Sequence, residues 1–74
     1  MDPMRLLKNV VEEQNLRVEW RDLQDPAEEP KFKALLTLGQ DPMFVFFGNG
    51  ESTGKSKRNA AENALQFLGL ILKN

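Results

Sequence analysis

The chain contains no cysteine, no histidine and no tyrosine among its 74 residues. Disulfides and zinc fingers are therefore excluded, because thiolates and imidazoles are the groups that form them. The usual imidazole base and pH switch are absent as well. These absences favour an intracellular protein, nuclear or cytoplasmic, and we expect no metal and no other cofactor.

Long hydrophobic runs are also missing. No apolar stretch approaches the roughly 20 residues that are needed to span a bilayer, and the N-terminal residues lack the charged-then-apolar order of a signal peptide. We expect a soluble protein with no membrane partner. A length of 74 residues suits one small core. We therefore predict a single domain over residues 1–74, as one module of a longer protein.

Net charge is small, at −1, whereas domains that bind polyanions are commonly strongly basic. The charge is unevenly distributed. Residues 1–31 hold eight acidic side chains against five basic ones, and residues 32–74 hold three against five. An anion site, if present, is therefore expected in the C-terminal half.

Helical signals open the chain. Asp2 is a good N-cap residue, and Pro3 suits the first helical position. Apolar residues then recur with helical spacing at Leu6, Leu7, Val10 and Val11. We predict a helix of about three turns that ends near Asn15.

Three segments with a period of two follow. The first begins at Arg17 and the second at Phe32, with a turn over residues 25–30 between them. A second turn, over residues 39–42, leads into an apolar run at 43–47 that should pair with the second strand as a hairpin. We assign these strand side chains to the core: Val18, Trp20, Phe32, Ala34, Leu36, Leu38, Phe44 and Phe46.

A loop over residues 48–52 precedes the last helix. Its apolar stripe consists of Ala60, Ala61, Ala64, Leu65 and Leu68, with Leu72 one turn further. The element order is helix, three strands, helix. Two helices packed on one face of a three-stranded antiparallel sheet form a stable two-layer arrangement. The predicted fold is α+β, with the order α-β-β-β-α.

Basic side chains cluster at the start of the last helix, at Lys55, Lys57 and Arg58. Cations there face the positive end of the helix dipole, which costs about 0.3–1 kcal/mol for each charge. A phosphate would offset that cost, because helix N-termini favour anions. The inference fails if neighbouring carboxylates hold these cations or if they point in unrelated directions. The alternative is that they only solvate an exposed helix face.

Three motifs resemble the double-stranded RNA-binding domain family. Pro3, Leu6 and Leu7 match its first helix, DPAEEPKF at 25–32 matches its first loop, and GNGESTGKSKRNAA at 48–61 matches the start of its last helix. The motifs occur in the family's order and span the chain. The resemblance implies binding of an A-form RNA duplex by shape, across two minor grooves and the phosphates between them, with little reading of sequence.

The resemblance also implies which residues contact RNA. Thr53, Gly54 and Lys57 occupy the three positions where the family carries phosphate-binding lysines, so only Lys57 is retained. Lys55 and Arg58 lie beside it and can partly substitute. Ser52 is expected to cap the helix, with Thr53 close to the phosphates.

The other two contact regions depart further from the family. In the first helix, Asn9 replaces a glutamate that contacts a ribose hydroxyl, and Arg5 and Lys8 can add phosphate contacts. In the first loop, Glu28 replaces a histidine, and Asp25-Pro26 replaces Gly-Pro. Two missing lysines and an acidic loop should weaken binding by about ten- to a thousandfold relative to a full-consensus domain.

A protein-interaction or dimerisation module on the same fold is the alternative. Every residue of the third strand is apolar, so one set of its side chains must face away from the helices. The family alignment turns Phe46 inwards and Phe47 outwards. Leu35, Val45 and Phe47 would then form an apolar patch for another protein or a second copy, unless they are only scattered surface residues.

Catalysis is not expected from this unit. Gly54-Lys55-Ser56 matches the end of the phosphate-binding loop of nucleotide hydrolases, but Asn49 stands where the leading glycine belongs. Those enzymes also need a parallel sheet, which requires crossover connections. No carboxylate lies in a pattern typical of a tuned acid–base pair.

Overall fold

The structure is a computed structural model that describes residues 2–24, 32–39 and 41–71. In chain order it contains α1 (Pro3–Gln14), β1 (Arg17–Gln24), β2 (Phe32–Gly39), β3 (Met43–Gly50) and α2 (Thr53–Phe67). The predicted element order is confirmed. The predicted turn at 25–30, with Asp25, Pro26 and Glu28, lies outside the described residues, as does Leu72.

Both ends of α1 follow from local chemistry. The Asp2 carboxylate accepts a hydrogen bond from the backbone N–H of Met4, at 3.1 Å, and Pro3 occupies the first turn. At the other end, Asn15 adopts the left-handed conformation, with φ of 54°, which is a common way to end a helix. The predicted helix bounds are confirmed.

The three strands form one antiparallel sheet in the order β1-β2-β3. Trp20 lies opposite Leu36, which lies opposite Phe46, so these three side chains share the face that the helices cover. Leu35 lies opposite Phe47 on the other face. One register therefore gives a covered face and an open face.

The core lies between the covered face and the two helices. Its buried members come from α1, β2 and α2: Leu7, Ala34, Leu36, Leu38, Ala60, Ala61, Ala64 and Leu65. The three alanines let the backbone of α2 approach the sheet closely. The predicted α+β fold, with both helices on one face, is confirmed. Neither described helix is long and apolar enough to cross a membrane.

Two of the predicted core residues are exposed, so those predictions are wrong. Val18 is 40% exposed because α1 packs against α2 and leaves a cleft of about 670 Å³ beside β1. Phe44 is 42% exposed because it lies near the end of the sheet, where it contacts the ring of Phe67 at a centroid distance of 5.0 Å. Trp20 and Phe46 pack against the core as predicted.

Candidate nucleic-acid interface

Strand β3 and helix α2 meet backbone to backbone. A Cβ atom on Gly48 would overlap the carbonyl oxygen of Ser56 and the backbone of Ala60, and one on Gly50 would lie 2.7 Å from the Ser56 nitrogen. The predicted loop over 48–52 is therefore wrong in its extent, because β3 continues to Gly50. These glycines are needed for close approach, and they fix where the first turns of α2 lie.

Two serines order the start of α2. The Ser52 hydroxyl accepts a hydrogen bond from the Lys55 backbone N–H, at 3.2 Å, which confirms the predicted cap. The Ser56 hydroxyl is buried and donates to the Thr53 carbonyl oxygen, at 2.8 Å. Because that hydroxyl faces inwards, it cannot serve as the magnesium ligand of a nucleotide-binding loop. The antiparallel sheet also excludes that class of site.

Asparagine side chains of α2 secure the outer edge of β3. The Asn63 amide donates to the Phe47 carbonyl oxygen at 2.6 Å, and the Asn59 amide donates to the Asn49 carbonyl oxygen. Edge strands otherwise offer such carbonyls to another chain. Two carbonyls in the second half of β3 are thereby occupied, and the first turns of α2 lie close beside that half.

Each basic residue at the start of α2 lies close to a carboxylate. The Lys55 ammonium is 3.4 Å from Glu51, the Arg58 guanidinium is 3.8 Å from Glu62, and the Lys57 ammonium is 3.5 Å from Asp22. The expectation that no carboxylate holds these cations is therefore wrong, and the cations alone do not establish a phosphate site. Their pairing counts against strong phosphate binding.

The three ion pairs are exposed or half-exposed, and this limits their strength. Exposed pairs typically contribute about 0–1 kcal/mol, because water and salt screen them and long side chains lose freedom in forming them. Each carboxylate can thus be displaced by an anion that makes better contacts. The cluster of Lys55, Lys57 and Arg58, named the clamp below, stays accessible to phosphate at that cost.

The second predicted contact region lies on α1. Arg5, Lys8 and Asn9 are all exposed there. Arg5 and Lys8 line the cleft beside β1, whose floor includes Val18 and Trp20. The structure confirms that these α1 side chains are accessible.

Strand β1 contacts both the cleft beside α1 and the clamp. Val18, Trp20 and Asp22 lie on the same face of this strand, since every second residue of a strand shares a face. The first two border the cleft and the third contacts Lys57. At about 3.3 Å per residue, Val18 and Asp22 are separated by roughly 13 Å. Both predicted contact regions therefore lie along the helix-covered side of the sheet.

The opposite face of the sheet carries the patch of Leu35, Val45 and Phe47, named the open-face patch below. Val45 is 52% exposed and Phe47 is 58% exposed, while Leu35 is half-buried. Leu35 and Phe47 are direct cross-strand partners, so their side chains are neighbours. The predicted orientation of Phe46 inwards and Phe47 outwards is confirmed.

Asp22 is the member of this site that sequence reasoning missed. It lies 35 positions before Lys57 in the chain, and the sequence shows it only as one of eight acidic residues in 1–31. The only available signal was its place in the strand alternation, on the same face as Trp20. That signal puts a charge on the covered side of the sheet, where the basic start of α2 also lies.

Nearly the whole chain is similar in sequence to parts of longer curated proteins. Interferon-inducible double-stranded RNA-dependent protein kinase activator A of Rattus norvegicus is 31% identical over 70 residues, which are 95% of this chain and 22% of that protein. Protein Loquacious of Drosophila melanogaster is 29% identical over 73 residues, which are 99% of this chain and 16% of that protein. The chain thus spans about a fifth of the length of the curated relatives it matches.

A solved structure supports the same placement. A chain in the crystal structure of a Miranda/Staufen dsRBD5 complex superposes with a TM-score of 0.84 and 24% identity, over 96% of this chain and 100% of that one. No protein-family model matches the chain. The sequence relatives, the shared fold and the motif at 48–61 agree, and the chain belongs to the double-stranded RNA-binding domain family.

Proposed function

We propose that this domain binds double-stranded RNA weakly, by shape and phosphate contacts and without regard to sequence. Family membership supports the choice of ligand. The observation that carries the proposal is the capped start of α2, where three cations lie together, each in an exposed or half-exposed ion pair that a phosphate can displace. Such a helix start combines a positive dipole end with side-chain charge, and both attract phosphate.

The low affinity follows from what occupies the clamp positions. Thr53 and Gly54 carry no charge, and Lys57 is paired with Asp22. Each lost phosphate contact lowers the salt slope by about 0.7–0.9, which is about a four- to sixfold loss of affinity near physiological salt. Two lost contacts cost roughly 15- to 35-fold by the same relation, and paired carboxylates add to that. The total loss of affinity lies within the range of about ten- to a thousandfold that the sequence predicts.

The α1 residues supply the second contact. Arg5 and Lys8 can reach phosphates, and Asn9 can hydrogen-bond to a ribose hydroxyl, which distinguishes RNA from DNA. Because both regions lie along the same side of the sheet, one duplex can contact them together. A contact by the clamp alone would be less selective for RNA.

We further propose that the domain works as one module of a longer, intracellular protein and is itself not an enzyme. Its relatives are four to six times its length, as their coverage of 22% and 16% implies. Linked modules gain affinity through effective concentration, so a weak domain can contribute when a neighbour is already bound. A nuclear or cytoplasmic location stays a prediction.

A titration with duplexes of about 20 base pairs tests the proposal, since a domain of this family spans about 16 base pairs. We expect weak binding that prefers RNA to DNA of the same sequence and that falls as salt rises. Lys57→Ala should weaken binding to every RNA sequence equally and flatten the salt dependence. Unchanged binding of Lys57→Ala, or equal affinity for the DNA duplex, would contradict the proposal.

The open-face patch supports a second candidate function, contact with another protein or with a second copy of this chain. Phe47 and Val45 are more than half exposed on the open face of the sheet, whereas the outer edge of β3 is partly occupied by Asn59 and Asn63. The face is therefore a better surface for association than that half of the edge.

Sedimentation of the wild-type protein and Phe47→Asp at high concentration tests this candidate. Self-association that the substitution abolishes would support a second copy as partner. If the wild-type protein stays monomeric and sediments as the variant does, self-association through the patch is excluded. Leu70→Asp is the control, because it adds the same charge at an exposed apolar residue after α2, outside the patch.

A further inference from the structure

The three ion pairs of the clamp are not equivalent. Glu51 with Lys55 and Arg58 with Glu62 are neighbours four positions apart, in or beside the same helix. Asp22 and Lys57 instead connect β1 to α2, across the tertiary structure. Lys57 also has the least exposed side chain of the three cations, at 34%. The one cation retained from the family motif is therefore the one that a distant element holds.

Asp22 differs from Glu51 and Glu62 because a separate element, the sheet, places it beside its cation. Its backbone pairs with Ala34 of β2 within an eight-residue antiparallel ladder. Glu51 lies in the short connection after β3, and its side chain is 89% exposed. A solvated carboxylate is easily displaced. The sheet fixes the backbone of Asp22 beside Lys57, so the Asp22 carboxylate remains within reach of Lys57 when another anion approaches.

We propose that Asp22 is an intramolecular competitor of RNA phosphate for Lys57, and that it sets the affinity of the clamp. This inference rests on the proposed function. A carboxylate and a phosphate are both oxyanions that accept charge-assisted hydrogen bonds from an ammonium group. When RNA binds, a phosphate must either displace Asp22 or share Lys57 with it and be repelled by it. Both routes weaken the contact.

Removal of the Asp22 charge should therefore strengthen RNA binding. Asp22→Asn keeps the shape of the side chain and loses the charge. We expect a gain in affinity of about three- to tenfold at low salt, and a salt slope that is steeper by up to about 0.9, because the Asp22 carboxylate no longer offsets the charge of Lys57. The fold should not suffer, since exposed ion pairs contribute little to stability.

Glu19→Gln is the matched control. Glu19 lies three residues earlier on β1, on the open face of the sheet, and its loss changes the net charge from −1 to 0 just as Asp22→Asn does. A general decrease in repulsion would affect both variants equally. Local competition predicts a gain for Asp22→Asn and no change for Glu19→Gln.

The experiment titrates a fluorescent RNA duplex of about 20 base pairs with the wild type, Asp22→Asn, Glu19→Gln, Lys57→Ala and the Asp22→Asn/Lys57→Ala double variant. A thermal melt of each variant confirms that it is folded. The two single changes should be strongly coupled. Asp22→Asn should strengthen binding when Lys57 is present and have no effect when it is absent.

The outcomes separate this inference from the proposed function. Salt-sensitive RNA binding that is the same in the wild type and Asp22→Asn overturns the inference and leaves the proposed function standing. Equal gains for Asp22→Asn and Glu19→Gln, or a gain that persists without Lys57, also overturn it. If none of the variants binds RNA, both are overturned.

Discussion

Gly48→Ala tests the packing that positions the whole site. The added Cβ would overlap the Ser56 carbonyl oxygen and the Ala60 backbone. These atoms belong to the α2 backbone and not to a flexible side chain, so the helix as a unit would have to move away from β3. The first turns of α2 would move with it.

The expected loss of stability follows from that clash. Overpacking a core side chain costs about 1–3 kcal/mol, and a clash with helix backbone should reach about 3 kcal/mol or more. A domain of 74 residues has a free energy of unfolding of about 4–11 kcal/mol. At about 4–8 °C per kcal/mol, the melting temperature should fall by about 12–24 °C.

Gly54→Ala is the matched control in the same segment. The nearest atom to a Cβ at Gly54 is the Ser52 hydroxyl oxygen, 4.0 Å away, so alanine fits. Alanine also favours the helix and restricts the unfolded chain, which should stabilise the domain by about 0.4–1 kcal/mol. Thermal and urea unfolding followed by circular dichroism measure both variants. A Gly48→Ala protein that melts within about 3 °C of the wild type would refute the close approach of β3 and α2.

Three further substitutions probe other parts of the fold by the same unfolding assay. Ser52→Ala removes the side-chain acceptor for the Lys55 N–H and should cost about 1 kcal/mol, whereas no loss would contradict the cap. Leu36→Ala, at a fully buried position, should cost about 2–5 kcal/mol, and a loss below about 1 kcal/mol would contradict the core assignment. Phe47→Ser should change stability by less than about 0.5 kcal/mol because the ring is 58% exposed, and a large loss would show that the patch is structural.

Local signals in the sequence were sufficient for the elements and their order. The Asp2 cap and Pro3 predicted the start of α1, and the period of two predicted β1 and β2 with the inward and outward sets of β2 correct. These features depend on neighbours within a few residues, which a single sequence displays directly. The apolar stripe of the last helix then predicted that α2 packs on the sheet.

The errors share a physical origin in tertiary packing. The extent of β3 was missed because Gly48 and Gly50 read as loop residues, although their lack of side chains is what lets the strand run beneath α2. Val18 alternates as a core residue should, yet α1 packs on α2 and leaves it in the cleft. Alternation shows which face a side chain lies on but not whether anything covers that face.

The pairing of Lys57 with Asp22 has the same origin. Its members are 35 positions apart and meet only because β1 and α2 fold together. The cluster of cations was visible in the sequence, whereas the carboxylate that limits it was not. A count of charges along the chain cannot show which opposite charges become neighbours.

Mapping of amide chemical shifts in the ¹⁵N-labelled domain, on addition of an RNA duplex, tests the central claim most directly. We expect fast-exchange shifts concentrated at residues 52–58 and 5–9, which disappear as salt is raised. Shifts concentrated instead on the open-face patch at Val45 and Phe47, or no shifts at high RNA concentration, would contradict it.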